Sequence, residues 1–267
     1  MRLQGMILDW AGTTVDYGCM APVQAFMDIF QSQGIEPTME EVRAPMGLLK
    51  WDHIKTMLEM PRISRQFEER MGRPFTDEDV DRMHELFEPK LLGSLERFSH
   101  PMDSVVEVVE RLRAEGMKIG ATTGYNDVMM RIVSETAHKD GYEPDCWITP
   151  DSVGGKGRPY PYMIYTNMIR LDMGLPAQVV KVGDTASDMQ EARNAGVWAV
   201  GILKGSSMLG LSEEEAASMP APALQDLMEK ARRQYIEYGA HEVVETFSQL
   251  PEAVERINQR LLAGERP

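Results

Sequence analysis

Two rhythms of hydrophobic and polar positions run along this chain. At residues 6–8 a short apolar run, Met6-Ile7-Leu8, stops at a carboxylate, Asp9, and small or turn-forming residues come directly after it. Such a run predicts a buried parallel strand. From residue 19 to about 98 the period is helical. Val23, Phe26, Met27 and Phe30 share one face of a helix predicted over 21–33, which Gly34 closes. Thr38-Met39-Glu40-Glu41 has the form of a capping box and opens a second helix. Pro45 precedes a third, predicted over 46–57. Pro61, Gly72 and Pro74 punctuate the next stretch, and 76–95 reads as one more helix or two, with Asp77, Glu78 and Asp79 in a first turn. No convincing strand interrupts this segment.

At Asp103 the pattern changes to alternation. Strands are predicted over 118–122, 146–148, 179–182 and 198–202, with a last short one near Val243. Helices are predicted over 105–115, 126–139, 161–173, 187–195 and 222–238, and from about residue 251 onward. Ser212 to Glu215 is another capping box. Strands alternating with helices imply an α/β fold with a doubly wound, Rossmann-like parallel sheet covered on both faces. The expected division is a core of residues 1–18 and 99–267 with an inserted all-helical domain of residues 19–98.

Charge narrows the class of partner. The 267 residues carry a formal net charge of −14, which argues against nucleic acid or an anionic membrane. An anionic substrate would require local cations or a metal to reverse that potential. Two distant cysteines, Cys19 and Cys146, form no disulfide framework, no run reaches transmembrane length, and the N-terminus lacks the form of a signal peptide. A reducing cytoplasm is the expected setting.

In open α/β sheets ligands gather outside the carboxyl ends of the strands. Asp9 stands at the first such end. The strand over 118–122 runs into Thr122-Thr123-Gly124-Tyr125, where a hydroxyl and backbone N–H groups suit a phosphoryl oxygen. The strand over 179–182 runs into Gly183-Asp184-Thr185-Ala186-Ser187-Asp188, two more carboxylates at a helix start. With Asp9 they make an oxygen-rich pocket suited to Mg²⁺. Between them, Gly157-Arg158-Pro159-Tyr160-Pro161 offers a guanidinium on a stiffened segment. Arg158 is favoured over Lys156 as the anion's partner, and Lys181 is left unassigned.

This order of motifs resembles the haloacid dehalogenase superfamily of aspartyl-nucleophile phosphotransferases. The resemblance implies that Asp9 attacks phosphorus, and that the helical insert is a mobile cap. Phosphatases of that superfamily usually read Asp-x-Asp, the second Asp serving as acid and base. Here that position is Ala11, whose side chain cannot move protons, leaving its carbonyl as a metal ligand beside Asp9 and Asp184, with Asp188 in direct or supporting contact.

The insert carries a second signature. Met46, Lys50 and His53 are spaced to share one helix face. The string from Asp9 to Cys19, followed by Met46-Gly47-Leu48-Leu49-Lys50-x-x-His53, is similar to the phosphonoacetaldehyde hydrolase (phosphonatase) family. The likeness extends through Tyr125, Arg158 and Asp184. It implies cleavage of a carbon–phosphorus bond to acetaldehyde and phosphate, with Lys50 forming a Schiff base, Asp9 an aspartyl phosphate, and His53 assisting proton transfers. Thr123 and Arg158 then serve catalysis, and Cys19, Met46, Gly47 and Tyr125 line the substrate. A homodimer through cap helices is implied likewise. The rivals are a Mg²⁺-dependent phosphate monoesterase, a dehalogenase and a non-catalytic binding protein on the same fold.

Overall fold

The computed structural model describes residues 1–45 and 50–267. Two compact units are present, Met20–Phe98 and the combination of Met1–Cys19 with Ser99–Pro267. The expected start of the third helix, with Met46 and Gly47, lies outside the described residues. No helix of the described residues is long and apolar enough to cross a membrane.

The Met20–Phe98 unit is helical throughout its described residues. It contains α1 (Met20–Ser32), α2 (Met39–Arg43), α3 (Lys50–Glu59), α4 (Pro61–Met71), α5 (Asp77–Glu85) and α6 (Phe87–Leu95). Helix α2 starts on the expected capping box, Thr38 accepting from the Glu41 N–H and Glu41 reaching back to the Thr38 N–H. Helix α4 differs from the sequence reading, in which Pro61 and Gly72 only punctuated. Pro61 occupies the first turn, where its missing N–H costs nothing, and Gly72 closes the helix in the left-handed conformation. Ile63 and Phe67, four residues apart, are its buried stripe. Residues 76–95 form two helices. Asp79 caps the first of them and is held by Arg73 and Arg82.

The second unit contains a six-stranded parallel sheet. Its strands are β1 (Gly5–Leu8), β2 (Lys118–Thr122), β3 (Cys146–Ile148), β4 (Val179–Gly183), β5 (Trp198–Ile202) and β6 (Glu242–Val244), in the spatial order β3-β2-β1-β4-β5-β6. Around them lie α7 (Val105–Ala114), α8 (Asp127–Lys139), α9 (Tyr162–Arg170), α10 (Ala186–Ala195), α11 (Glu213–Ser218), α12 (Ala221–Tyr238) and α13 (Leu250–Leu262). The order reverses between β1 and β4, which makes that junction the switch point of a doubly wound sheet. Strands β1, β4 and β5 are wholly buried, as near-continuous apolar runs require. Ile7, Val179 and Ala199 pack with Met189, Met228 and Tyr235 in one core cluster. A fully buried Ile, Val or Met side chain contributes about 1.5–3 kcal/mol.

Candidate active site

The switch point fixes the register of the site. Leu8 pairs with Ala121 on one side and with Val182 on the other. Asp9 comes next, its N–H donating to the Val182 carbonyl at 3.0 Å. Beyond Asp9 the chain folds into a tight loop. The N–H groups of Thr13, Thr14 and Val15 all donate to the Trp10 carbonyl, and the Thr14 hydroxyl donates to the Asp9 carbonyl at 2.9 Å. Gly12 sits at φ +77°, and a Cβ there would collide with the Asp184 carboxylate. Only glycine meets both demands.

Asp9, Asp184 and Asp188 are all buried and each offers a carboxylate oxygen within 4.8 Å of the others. Their surroundings differ. Asp9 Oδ1 accepts from Arg158 Nη2 at 2.6 Å. Asp188 Oδ1 faces Arg158 Nη1 at 3.0 Å and Lys181 Nζ at 2.9 Å, while its Oδ2 accepts from the Thr185 N–H and hydroxyl that cap α10. Against the desolvation of burial, Arg158 and Lys181 hold the Asp188 carboxyl below the usual carboxylate range. Asp184 is the reverse case. Its Oδ2 accepts from the Ser207 N–H at 2.8 Å and hydroxyl at 2.6 Å, but Oδ1 is buried with no hydrogen-bond partner among the described residues. Burial, then the charges of Asp9 and Asp188, push the Asp184 carboxyl well up.

This imbalance is one that a cation would relieve. Asp9, Asp184, Asp188 and Glu191 face Arg158 and Lys181, and these six groups sum to two negative charges. The orphaned Asp184 oxygen points to the same deficit. Hard carboxylate oxygens in this number suit a divalent ion.

Thr123 is buried at the end of β2, where its hydroxyl accepts from the Tyr125 N–H at 3.0 Å. Burial and the nearby Asp16, Cys19, Asp9 and Asp184 push the Tyr125 phenol well up, so it stays a proton-bearing group. Cys19 Sγ lies 3.8 Å from Asp184 Oδ2, and burial with the surrounding carboxylates pushes its thiol up as well. Lys156 is exposed, its ammonium 5.8 Å over the Tyr162 ring, whereas Arg158 reaches Asp9. Three residues that the sequence reading did not single out or left unassigned belong to this constellation. Lys181 is wholly buried against Asp188, Glu191 is buried against Arg158, and Ser207 holds Asp184. For Glu191 the available signal was its place three residues after Asp188, on the same face of α10.

The chain is 51% identical over 260 residues to the phosphonoacetaldehyde hydrolase of Bacillus cytotoxicus, covering 97% of this chain and 98% of the relative. It is a member of the phosphonoacetaldehyde hydrolase family. A second family member, the phosphonoacetaldehyde hydrolase of Lysinibacillus sphaericus, is 49% identical, covering 98% and 97% of the two chains. Residues 3–196 match the model of the haloacid dehalogenase-like hydrolases. A phosphonoacetaldehyde hydrolase like protein from Oleispira antarctica superposes with a TM-score of 0.84 at 34% identity, covering 100% of this chain and 96% of that one.

In the helical unit, Lys50 is the first residue of α3. The residue is exposed, yet its ammonium stands 5.8 Å over the Phe87 ring, and partial desolvation lowers the amine from the usual lysine value. His53, one turn on, is buried and stacks on Phe26 with ring centroids 3.7 Å apart. Burial brings its imidazole down to about 4, and the Lys50 charge acts in the same direction. His53 Nε2 has no hydrogen-bond partner among the described residues, so the neutral ring keeps one nitrogen free for a proton.

Proposed function

We propose that the chain hydrolyses phosphonoacetaldehyde to acetaldehyde and phosphate, and that Asp9 and Lys50 each form a covalent adduct during turnover. The observation that carries this reading is the likeness to named phosphonoacetaldehyde hydrolases over nearly the full length of both chains. The chemistry of the residues agrees with it. A carbon–phosphorus bond has no leaving oxygen to protonate, so a carboxylate at position 11 is not needed. Its cleavage leaves a pair of electrons on carbon, which needs a sink. The Lys50 amine, lowered toward its neutral form, adds to the aldehyde and loses water to give an iminium. The Asp9 carboxylate then attacks phosphorus. The C–P electron pair moves into the iminium as an enamine, and the phosphoryl group stays on Asp9. Protonation of the enamine carbon restores an iminium, and water releases acetaldehyde and the amine. A second water cleaves the aspartyl phosphate to phosphate and Asp9.

Arg158 and Thr123 orient the phosphoryl oxygens, because this transfer depends on positioning and charge neutralisation. His53 moves protons at the imine nitrogen, with Tyr125 as a further donor. Cys19, Met46 and Gly47 line the substrate. Asp9, Asp184 and the Ala11 carbonyl would hold Mg²⁺, with Asp188 supporting from behind. The ion's contribution is charge neutralisation of the phosphonate oxygens. In this reading the helical unit is the cap that carries Lys50, and two copies of the chain associate through cap helices in the cytoplasm.

Incubating the protein with phosphonoacetaldehyde and Mg²⁺ should release equal amounts of acetaldehyde and phosphate. Borohydride added with the substrate should inactivate it and leave a reduced two-carbon adduct on Lys50, located by mass spectrometry. Absence of acetaldehyde release sinks the activity. An adduct on another lysine sinks the Schiff-base assignment alone.

A further inference from the structure

Arg158 makes an unusual number of bonds for one side chain. Nε donates to Glu191 Oε2 at 3.2 Å. Nη1 lies 3.0 Å from Asp188 Oδ1. Nη2 donates to Asp9 Oδ1 at 2.6 Å, the Thr122 carbonyl at 2.9 Å and the Thr122 hydroxyl at 3.2 Å. Each nitrogen of the guanidinium is therefore tied to a different carboxylate. Two of these carboxylates, Asp9 and Asp188, already serve the metal and the nucleophile. The third, Glu191, touches neither.

Glu191 is itself fixed from several sides. It is fully buried on α10, its Oε2 accepts from the Thr122 hydroxyl at 3.1 Å, and Lys181 Nζ lies 3.9 Å away. Thr122 thus links Glu191 to Arg158 at both ends of the fork, accepting from Nη2 and donating to the carboxylate that holds Nε. A planar fork gripped at Nε and Nη1 keeps no free rotation about its last torsion, and Nη2 is left aimed at Asp9. A lysine would present a single ammonium without the planar fork, and could not hold the three carboxylates in fixed directions.

We infer that Glu191 is a positioning residue for Arg158, fixing the guanidinium beside the nucleophile through Nε. This inference takes from the proposed function only that Arg158 meets the phosphoryl group. Glu191 acts through geometry, so the oxygen's place matters more than its charge. Glu191→Gln keeps an oxygen at the same reach, and Glu191→Asp keeps the charge but draws the oxygen back by one methylene.

The test measures inorganic phosphate affinity by calorimetry in Mg²⁺, together with kcat/KM for phosphonoacetaldehyde, on the full chain. Glu191→Asp should weaken both by about 10–100-fold, the scale on which loss of an outer-shell partner of a metal ligand acts, under conditions where its melt shows the variant fully folded. Glu191→Gln should recover most of that loss. When Arg158→Lys is already present, Glu191→Asp should cost little more, because its effect passes through the guanidinium. The inference is overturned if Glu191→Asp matches the parent, if Glu191→Gln is the worse of the two, or if the Asp penalty persists unchanged after Arg158→Lys. A parent protein that binds no phosphate overturns it as well. A parent that binds phosphate but releases no acetaldehyde defeats the proposed function instead, and the phosphate cycle still decides the role of Glu191.

Discussion

Replacing Asp184 by Asn should strengthen the metal-free protein while destroying its response to metal. Asp184 shares a volume with two other carboxylates whose oxygens lie within 4.8 Å. At that separation one pair of like charges costs about 3–4 kcal/mol with an effective dielectric constant near 20. Arg158 and Lys181 offset the charges of Asp9 and Asp188, so about one pair's worth, roughly 3 kcal/mol, is the relief expected from neutralising residue 184. The hydrogen bonds from Ser207 need not be lost, since an Asn oxygen can occupy the Oδ2 place and accept both. The amide NH₂ would then face Asp9 and Asp188 as a donor. For a unit of this size about 3 kcal/mol corresponds to roughly 6–12 °C in melting temperature.

The assay is a thermal melt in excess chelator and again in saturating Mg²⁺. In chelator Asp184→Asn should melt above the parent. In Mg²⁺ the parent should rise by an amount set by ligand linkage, about 2.7 kcal/mol at a hundredfold excess over Kd, and the variant should stay where it was. Turnover should vanish in the variant under both conditions. A variant less stable than the parent in chelator would refute the reasoning that carboxylate repulsion dominates at Asp184. An equal Mg²⁺ response in both proteins would remove Asp184 from the metal site.

Three further outcomes are expected. His53 is held neutral at about 4 in the folded chain and titrates near 6.5 when unfolded, so the unfolded state takes up the proton first as pH falls; between pH 6.5 and 4 the parent should lose up to about 3 kcal/mol more than a His53→Leu variant in urea titrations, and parallel curves would exclude the shift. Lys50→Arg should abolish nearly all turnover while leaving phosphate binding in place, because a guanidinium offers no free lone pair for imine formation; retained acetaldehyde release would end the Schiff-base reading. Gly12→Ala should cost about 1–3 kcal/mol through its positive φ and the collision with Asp184, and should lower Mg²⁺ affinity in the same titration; an unchanged affinity would mean that the loop does not set Asp184.

Much of the sheet was legible because its central strands β1, β2 and β4 are mostly apolar, largely buried runs that lead into polar or turn-forming residues at the same end. The runs ending at Asp9, Thr122 and Gly183 are β1, β2 and β4, three strands that lie side by side at the switch point and bring their motifs together there. Helix α4 was not legible by the same means. Its apolar stripe is only Ile63 and Phe67 among charged residues, too sparse to register a period, and the proline that begins it looked like a break. Lys181 and Glu191 were obscured for a different reason. A lysine in a strand and a glutamate on an amphipathic helix are both normally solvated. Only the pairing of β4 with the face of α10 shows that each is buried against the other's neighbours. Ser207 sits in a loop 23 residues beyond Asp184 in sequence, and no local pattern encodes its approach.

The absence of a carboxylate at position 11 gains a second meaning from this network. In chemical terms Ala11 removes an acid that a carbon leaving group does not use. In electrostatic terms it also limits the negative charge at the switch point. The four carboxylates that face Arg158 and Lys181 already outnumber them by two, with Asp16 buried nearby, and a divalent ion would offset that excess. A further carboxylate two residues after Asp9 would add to the negative charge and raise the cost of ionising Asp9, whose charge the proposed attack on phosphorus requires. Arg158 is already committed on all three nitrogens, and Lys181 is turned toward Asp188 and Glu191, so neither is free to absorb it. The arginine fork, the buried Lys181 and the methyl group at position 11 therefore bear on one constraint: Asp9, the proposed nucleophile, needs its charge in a buried site.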